Sequence, residues 1–86
     1  MKIHYSSTFF KKVKRLEIDL QEEVLEKIEL IKNGNSAKRL KIHKLHGRLG
    51  KSYGLSINYK IRAIFYHEKN GDIVFFDVGE HDQVYR

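Results

Sequence analysis

The side chains best equipped for chemistry fall in separate parts of this sequence. The run Gly79-Glu80-His81-Asp82-Gln83-Val84-Tyr85-Arg86 follows an apolar stretch that reads as a strand. It sets an imidazole, a carboxylate, a phenol and a guanidinium close together. Histidine titrates nearest to neutral pH and is the usual proton donor or acceptor. Tyrosine can hydrogen-bond, donate a proton or stack on a base. His81 and Asp82 do not form a dyad if the strand continues through them, because neighbouring strand residues face opposite ways. A plain polar tail has the same composition, so the run leaves both readings open. Arg62 sits mid-strand among apolar neighbours, with Asp77 expected diagonally across the ladder. Either the two form a structural ion pair, or Asp77 orients Arg62 as an electrophilic clamp on a phosphate. His43 and His46 stand three apart in Lys41-Ile42-His43-Lys44-Leu45-His46-Gly47. No cysteine or carboxylate lies nearby, so no metal is expected there. Acid–base work, nucleic-acid contact and ordinary surface exposure all remain open for the two histidines.

The charge distribution points to a polyanion. The formal net charge is +6, and from Leu30 to His67 there is no Asp or Glu. That stretch holds Lys32, Lys38, Arg39, Lys41, Lys44, Arg48, Lys51, Lys60 and Arg62, while Glu17, Asp19, Glu22, Glu23, Glu26 and Glu29 crowd in just before it. Surfaces normally mix signs, so segregation of this kind reads as a phosphate footprint. The 86 residues suit one domain spanning 1–86, and a 41% hydrophobic content supports a core. Absence of cysteine excludes disulfides and thiolate metal sites. No apolar run approaches the roughly 20 residues of a membrane span. The N-terminus lacks a signal-peptide core. These features together suggest a cytoplasmic protein with no membrane partner. P-loop, dinucleotide-binding and nucleophile-elbow patterns are missing, and no cofactor is implied.

The elements that must position these groups follow from periodicity. Residues 2–5 alternate as a short strand. Ser6, Ser7 and Thr8 offer N-cap hydroxyls, and Phe9, Phe10, Val13 and Leu16 recur at helical spacing. A second helix restarts near Asp19, with Asp19 and Glu22 as a capping box. Leu20, Val24, Ile28 and Ile31, helped by Leu25, form its apolar face. Gly34 ends it. Residues 35–51 look like a loop or edge segment. Tyr53, Leu55 and Ile57 mark a strand, a three-residue turn follows at 58–60, and Ile61 to Tyr66 mark the next. Asn70-Gly71 predicts a two-residue type I′ hairpin, which pairs Ala63 with Val78, Phe65 with Phe76 and His67 with Val74. Ile61, Ala63, Phe65, Val74, Phe76 and Val78 would then share the helix-covered face. Arg62, Ile64, Tyr66, Phe75, Asp77 and Gly79 would share the open one, joined by Gly54 and Ser56. The result is an α+β domain in the order β-α-α-β-β-β, a helical hairpin on a small, mainly antiparallel sheet.

The chain resembles the RelE/ParE superfamily of toxin–antitoxin toxins, and within it the RelE/StbE-like mRNA interferases. The resemblance covers essentially the whole chain. It rests on Leu45-His46-Gly47-Arg48-Leu49, on the strand from Tyr59 to Tyr66, and above all on Asp77-Val78-Gly79-Glu80-His81-Asp82-Gln83-Val84-Tyr85. It implies ribosome-dependent, metal-independent cleavage of messenger RNA in the A site. It also implies a cognate antitoxin that would hold the toxin as a monomer within the complex. Arg62 matches the family's strand arginine, which stabilises charge on the scissile phosphate. His81 falls where some members carry a catalytic histidine, and Tyr85 where members carry a tyrosine that orients or activates the 2′-hydroxyl. His43 falls near a histidine used by the YafQ-type branch. The chain departs from the family at Gly54 and Ser56, where the best-known members carry two lysines. His43, His46, Lys51 or Arg48 would then have to supply the base or the supporting charge.

The mechanism implied is attack of the RNA's own 2′-hydroxyl on the adjacent phosphorus. Arg62 stabilises charge, His81 acts as acid–base, and Tyr85 stacks on or orients the nucleotide. Lys44, Arg48, Lys51 and Arg86 hold RNA. Two rival readings stay open: a ParE-like DNA gyrase inhibitor, which needs no catalytic groups, and a non-catalytic RNA-binding module.

Overall fold

Ser6 starts the first helix. Its backbone is extended, at φ −69° and ψ 159°, and its hydroxyl accepts a hydrogen bond from the Phe9 amide. That cap satisfies one of the helix's orphan N–H groups. Helix α1 (Ser7–Arg15) follows the short strand β1 (Ile3–Tyr5) and ends with Lys12, Lys14 and Arg15, cations that complement the negative end of its dipole. The computed structural model describes residues 1–34 and 40–84, apart from the side chains of Arg48, Asp82 and Gln83.

Helix α2 (Ile18–Lys32) begins earlier than its sequence signal suggests. Asp19 already lies in the first turn and Glu17 is the N-cap, without a side-chain bond, so the expected capping box does not form. Asp19 instead favours the positive end of the dipole. Gln21 takes a role the sequence did not announce: its Nε2 donates to the Leu16 carbonyl at 2.9 Å, tying α2 to the end of α1. Val24, Ile28 and Ile31 face the core, whereas Leu25 points outward. Gly34, at φ 80°, closes the helix as expected, its amide donating to the Ile31 carbonyl.

The rest of the chain builds the sheet. Strand β2 (Ile42–Lys44) and a single 3₁₀ turn (Gly47–Leu49) lead to β3 (Ser52–Ser56), β4 (Ile61–His67) and β5 (Ile73–Glu80), and a final turn of helix, α3 (His81–Val84), closes it. The strand order is β1-β5-β4-β3-β2, with β1 parallel to β5 and the other pairs antiparallel. The architecture is α+β, as expected; part of the segment read as a loop or edge forms the edge strand β2, and the ending left open between a polar tail and a functional run forms α3. On the helix side, Phe9, Phe75 and Phe65 stack in sequence, with ring centroids 5.4 and 5.1 Å apart.

The register agrees with expectation at Ala63–Val78 and Arg62–Gly79 but not nearer the turn. The hairpin is not type I′: among described non-glycine residues only Lys41 has positive φ, so Asn70 does not. The Gly71 amide donates to the Glu68 carbonyl, and the Glu68 amide to the Asp72 carbonyl, leaving Lys69, Asn70 and Gly71 as a three-residue loop. This is the geometry of a type I turn followed by a left-handed glycine. The longer loop shifts pairing by one, giving Phe65–Phe75 and His67–Ile73, and a β-bulge at Phe76 shifts it back. Between turn and bulge the faces are therefore exchanged. Phe75 is fully buried in the helix-side core, and Phe76 lies on the opposite face.

Asp72 fastens this turn to β1. Its carboxylate meets His4 Nε2 at 3.0 Å and accepts the Lys2 amide at 2.9 Å. The His4 bond first and the Lys2 amide second lower its pKa from 3.8 to about 2. A folded pKa below the unfolded value means that Asp72 stabilises the fold above pH 3.8 and loses that effect as pH falls toward 2. Melting temperatures of wild type and Asp72→Asn should differ near neutral pH and draw together through that acid range. Curves that stay parallel would remove the latch.

Candidate active site

Strand alternation collects the candidate groups on the sheet face opposite α1 and α2. Paired residues share a face, so the row His43–Gly54–Ile64–Asp77 and the row Ser56–Arg62–Gly79 both look to this side. Below them lies a second, smaller apolar cluster of Leu45, Ile64 and Val84, with Leu49 and Phe76 packed against it. Val84 is the anchor by which α3 docks on the sheet. A lone valine in a polar ending was the only sequence signal for it.

Arg62 stands half-buried, with Ser56 and Gly79 beside it in the ladder. Side chains this small leave room above the strands for a ligand backbone to come close. Its Nη1 donates to the carbonyls of Asn58, at 2.6 Å, and Ile61, at 3.2 Å. The expected partnership with Asp77 does not occur. Asp77 accepts instead from Lys12 of α1 at 2.6 Å and from the Val78 amide, while Arg62 is drawn the other way, toward the β3–β4 turn. Glu80, further along β5, pairs with Lys60 at 3.2 Å. Thus the guanidinium is held by neutral carbonyls and has no carboxylate partner among the described residues. Asn58 was missed by sequence reasoning, although an asparagine beside a strand end is a common turn former.

The other candidates divide. His81 opens α3, exposed, two residues beyond Gly79. His43 is exposed on β2, its Nδ1 3.4 Å from the Lys41 carbonyl. It lies two strands across and two residues along from Arg62, about 12 Å at the usual strand spacing and rise. His43 thus shares the Arg62 face by register, while His81 begins the helical turn that follows β5. His46 precedes the 3₁₀ turn and Lys51 follows it, both exposed and outside the ladder register. Lys44 pairs with Tyr53 and so belongs to the helix side of the sheet edge. Tyr85, Arg86 and the Arg48 side chain lie outside the described residues, as do Lys38 and Arg39. Among the described residues, no group of three or more His, Asp or Glu could hold a metal ion.

No protein-family model matches the chain, and no curated protein matches it by sequence. Solved structures do match. YafQ from E. coli strain BL21(DE3) has a TM-score of 0.80 at 18% identity, covering 99% of this chain and 98% of that one. A YoeB dimer from Staphylococcus aureus has a TM-score of 0.75 at 19% identity, covering 94% and 97%. The toxin–antitoxin complex RelBE2 from Mycobacterium tuberculosis has a TM-score of 0.69 at 13% identity, covering 93% and 96%. The chain has the fold of these three structures, the α+β fold that the sequence resemblance implied. Among its described residues no helix is long and apolar enough to cross a membrane.

Proposed function

We propose that this chain is the toxin of a toxin–antitoxin pair, a single RelE/ParE-like domain acting in the cytoplasm as a ribosome-dependent, metal-independent endoribonuclease. The observation that carries this reading is Arg62, a half-buried guanidinium fixed by two carbonyls, with no carboxylate partner among the described residues, with His43 on its face by register and His81 two residues beyond its ladder neighbour Gly79. Cleavage of RNA by its own 2′-hydroxyl needs those three functions. A base removes the hydroxyl proton, and the oxygen attacks the adjacent phosphorus. Arg62 stabilises the charge that builds on the phosphorane oxygens. The P–O5′ bond then breaks as an acid protonates the leaving oxygen, yielding a 2′,3′-cyclic phosphate and a 5′-hydroxyl. His81 serves as the acid. Of the base candidates, His43 is the one whose register puts it on Arg62's face; His46 and Lys51 would support. Tyr85 would orient the target nucleotide. Lys44, Arg48, Lys51 and Arg86 would hold message or ribosomal RNA.

The partner expected is a cognate antitoxin, since the fold is found in a toxin–antitoxin complex. Exposed Phe10 and Leu25 line a groove of about 290 Å³ beside Lys14, suited to an apolar segment with acidic flanks. The toxin would be a monomer within that complex. Gly54 and Ser56, at the positions of the family's lysines, favour the rival reading of a gyrase inhibitor. The two are separated by primer extension on translated message, run beside a gyrase supercoiling assay. New 5′ ends within A-site codons and unaffected gyrase are expected. Intact message with inhibited gyrase would replace the enzyme by the gyrase poison.

A further inference from the structure

The β3–β4 turn carries a feature that the cleavage mechanism does not use. Asn58 Oδ1 accepts the backbone amides of Lys60 and Ile61, both at 2.8 Å, which makes the turn rigid. On it Tyr59 stands 92% exposed, the most solvent-exposed large hydrophobic side chain among the described residues. Beside Tyr59 a groove of about 240 Å³ is lined by Lys27 of α2, Lys41, Ser56 and Asn58. That is room for one nucleobase. Lys41 holds φ at 56°, in the left-handed region that few non-glycine residues adopt. Two carboxylates bond to the turn itself, Glu23 accepting from Asn58 Nδ2 at 3.4 Å and Glu80 pairing with Lys60, and neither forms an ion pair with Lys27 or Lys41. Neither Lys27 nor Lys41 has an ion-pair partner among the described residues. The groove also adjoins the proposed cleavage site, because the Asn58 carbonyl itself holds Arg62.

We infer that this groove is a nucleotide subsite for single-stranded RNA. A strand whose phosphate sits at Arg62 continues past Asn58, stacks one base on Tyr59 and sets a further phosphate against Lys27 and Lys41. An exposed ring on a fixed turn, next to cations, is the arrangement by which single strands are held without sequence readout. The inference rests on the reading of the chain as an RNA-cleaving protein.

The test uses a labelled single-stranded oligoribonucleotide containing 5-iodouridine, with the same sequence annealed into a duplex as control. Ultraviolet crosslinking of the single strand should map to the peptide containing Tyr59, and the duplex should not crosslink there. Tyr59→Ala should weaken single-strand binding roughly tenfold or more, and Tyr59→Phe should restore it, since stacking needs the ring and not the hydroxyl. Replacing Lys27 and Lys41 together by Ala should reduce the slope of log affinity against log salt by about 0.7, for the one phosphate no longer neutralised. Exposure of Tyr59 means that its variants should keep the wild-type melting temperature. Unchanged binding by Tyr59→Ala, or a crosslink that maps away from Tyr59, would overturn the subsite. Cleavage of translated message is scored separately by primer extension, so failure of the subsite and failure of the endoribonuclease reading give different results.

Discussion

Arg62→Ala should lower the cleavage of ribosome-bound message by about 10²–10³, the usual loss when one preorganised charge donor is removed from a transition state. The effect is expected to be this large because, among the described residues, no other cation shares Arg62's rows of the ladder. Lys12 and Lys60 are matched by Asp77 and Glu80, and Gly54 and Ser56 bring no second cation to the face. Arg62→Lys should recover part of the rate: it restores charge but not the planar fork that can hold a carbonyl and a phosphate together. The substitution also removes charge-assisted bonds to Asn58 and Ile61, each worth about 1.5–3 kcal/mol, so assays belong well below the melting temperature. A folded Arg62→Ala variant that cleaves at the wild-type rate would leave the mechanism without its central group.

Phe75→Ala should destabilise the fold by about 3–5 kcal/mol. Phe75 is 0% exposed and its ring meets those of Tyr5, Phe9 and Phe65, so truncation opens a cavity between the helices and the sheet. A domain of this length has about 4–13 kcal/mol in all, so the variant should be unfolded or close to it at about 37 °C. Phe76→Ala, one residue away, removes a ring from the smaller cluster on the other face and should cost clearly less. Chemical denaturation of the two variants decides the matter. The reverse order of stabilities would mean that the bulge is misplaced and that Phe76 faces the helices.

This pair of phenylalanines also shows where sequence reading stopped. Ile73-Val74-Phe75-Phe76 is apolar throughout, so no alternation says which side chain faces the helices. Turn chemistry had to decide, and Asn70-Gly71 supports either of two loop lengths that differ by one residue. The one-residue error is cancelled at the bulge, so the pairing beyond it was legible. Arg62 opposite Gly79, Ser56 beside Arg62 and the 58–60 turn all follow from alternation in β3 and β4. What joins those elements was not legible. Lys12 reaches Asp77 from another element, and Asn58 holds Arg62 through a main-chain carbonyl, a group that every residue possesses. Val84 docking on the sheet depends on a short helix that no periodicity announces.

The pairing of β1 with β5 has a consequence for synthesis. Lys2 and Asp72, which join across this pairing, are 70 positions apart. At about 5–20 residues per second, β1 waits on the order of 4–14 s for its partner strand to be made. Until then the inward faces of both helices, including Phe9, Val24 and Ile28, have no complete sheet to cover them. Pairings so distant in sequence also slow folding once the chain is finished. The nascent protein is therefore exposed to capture or aggregation for seconds. The Arg62 face, which requires Gly79 alongside, cannot exist during that interval and assembles only after the growing chain has passed β5.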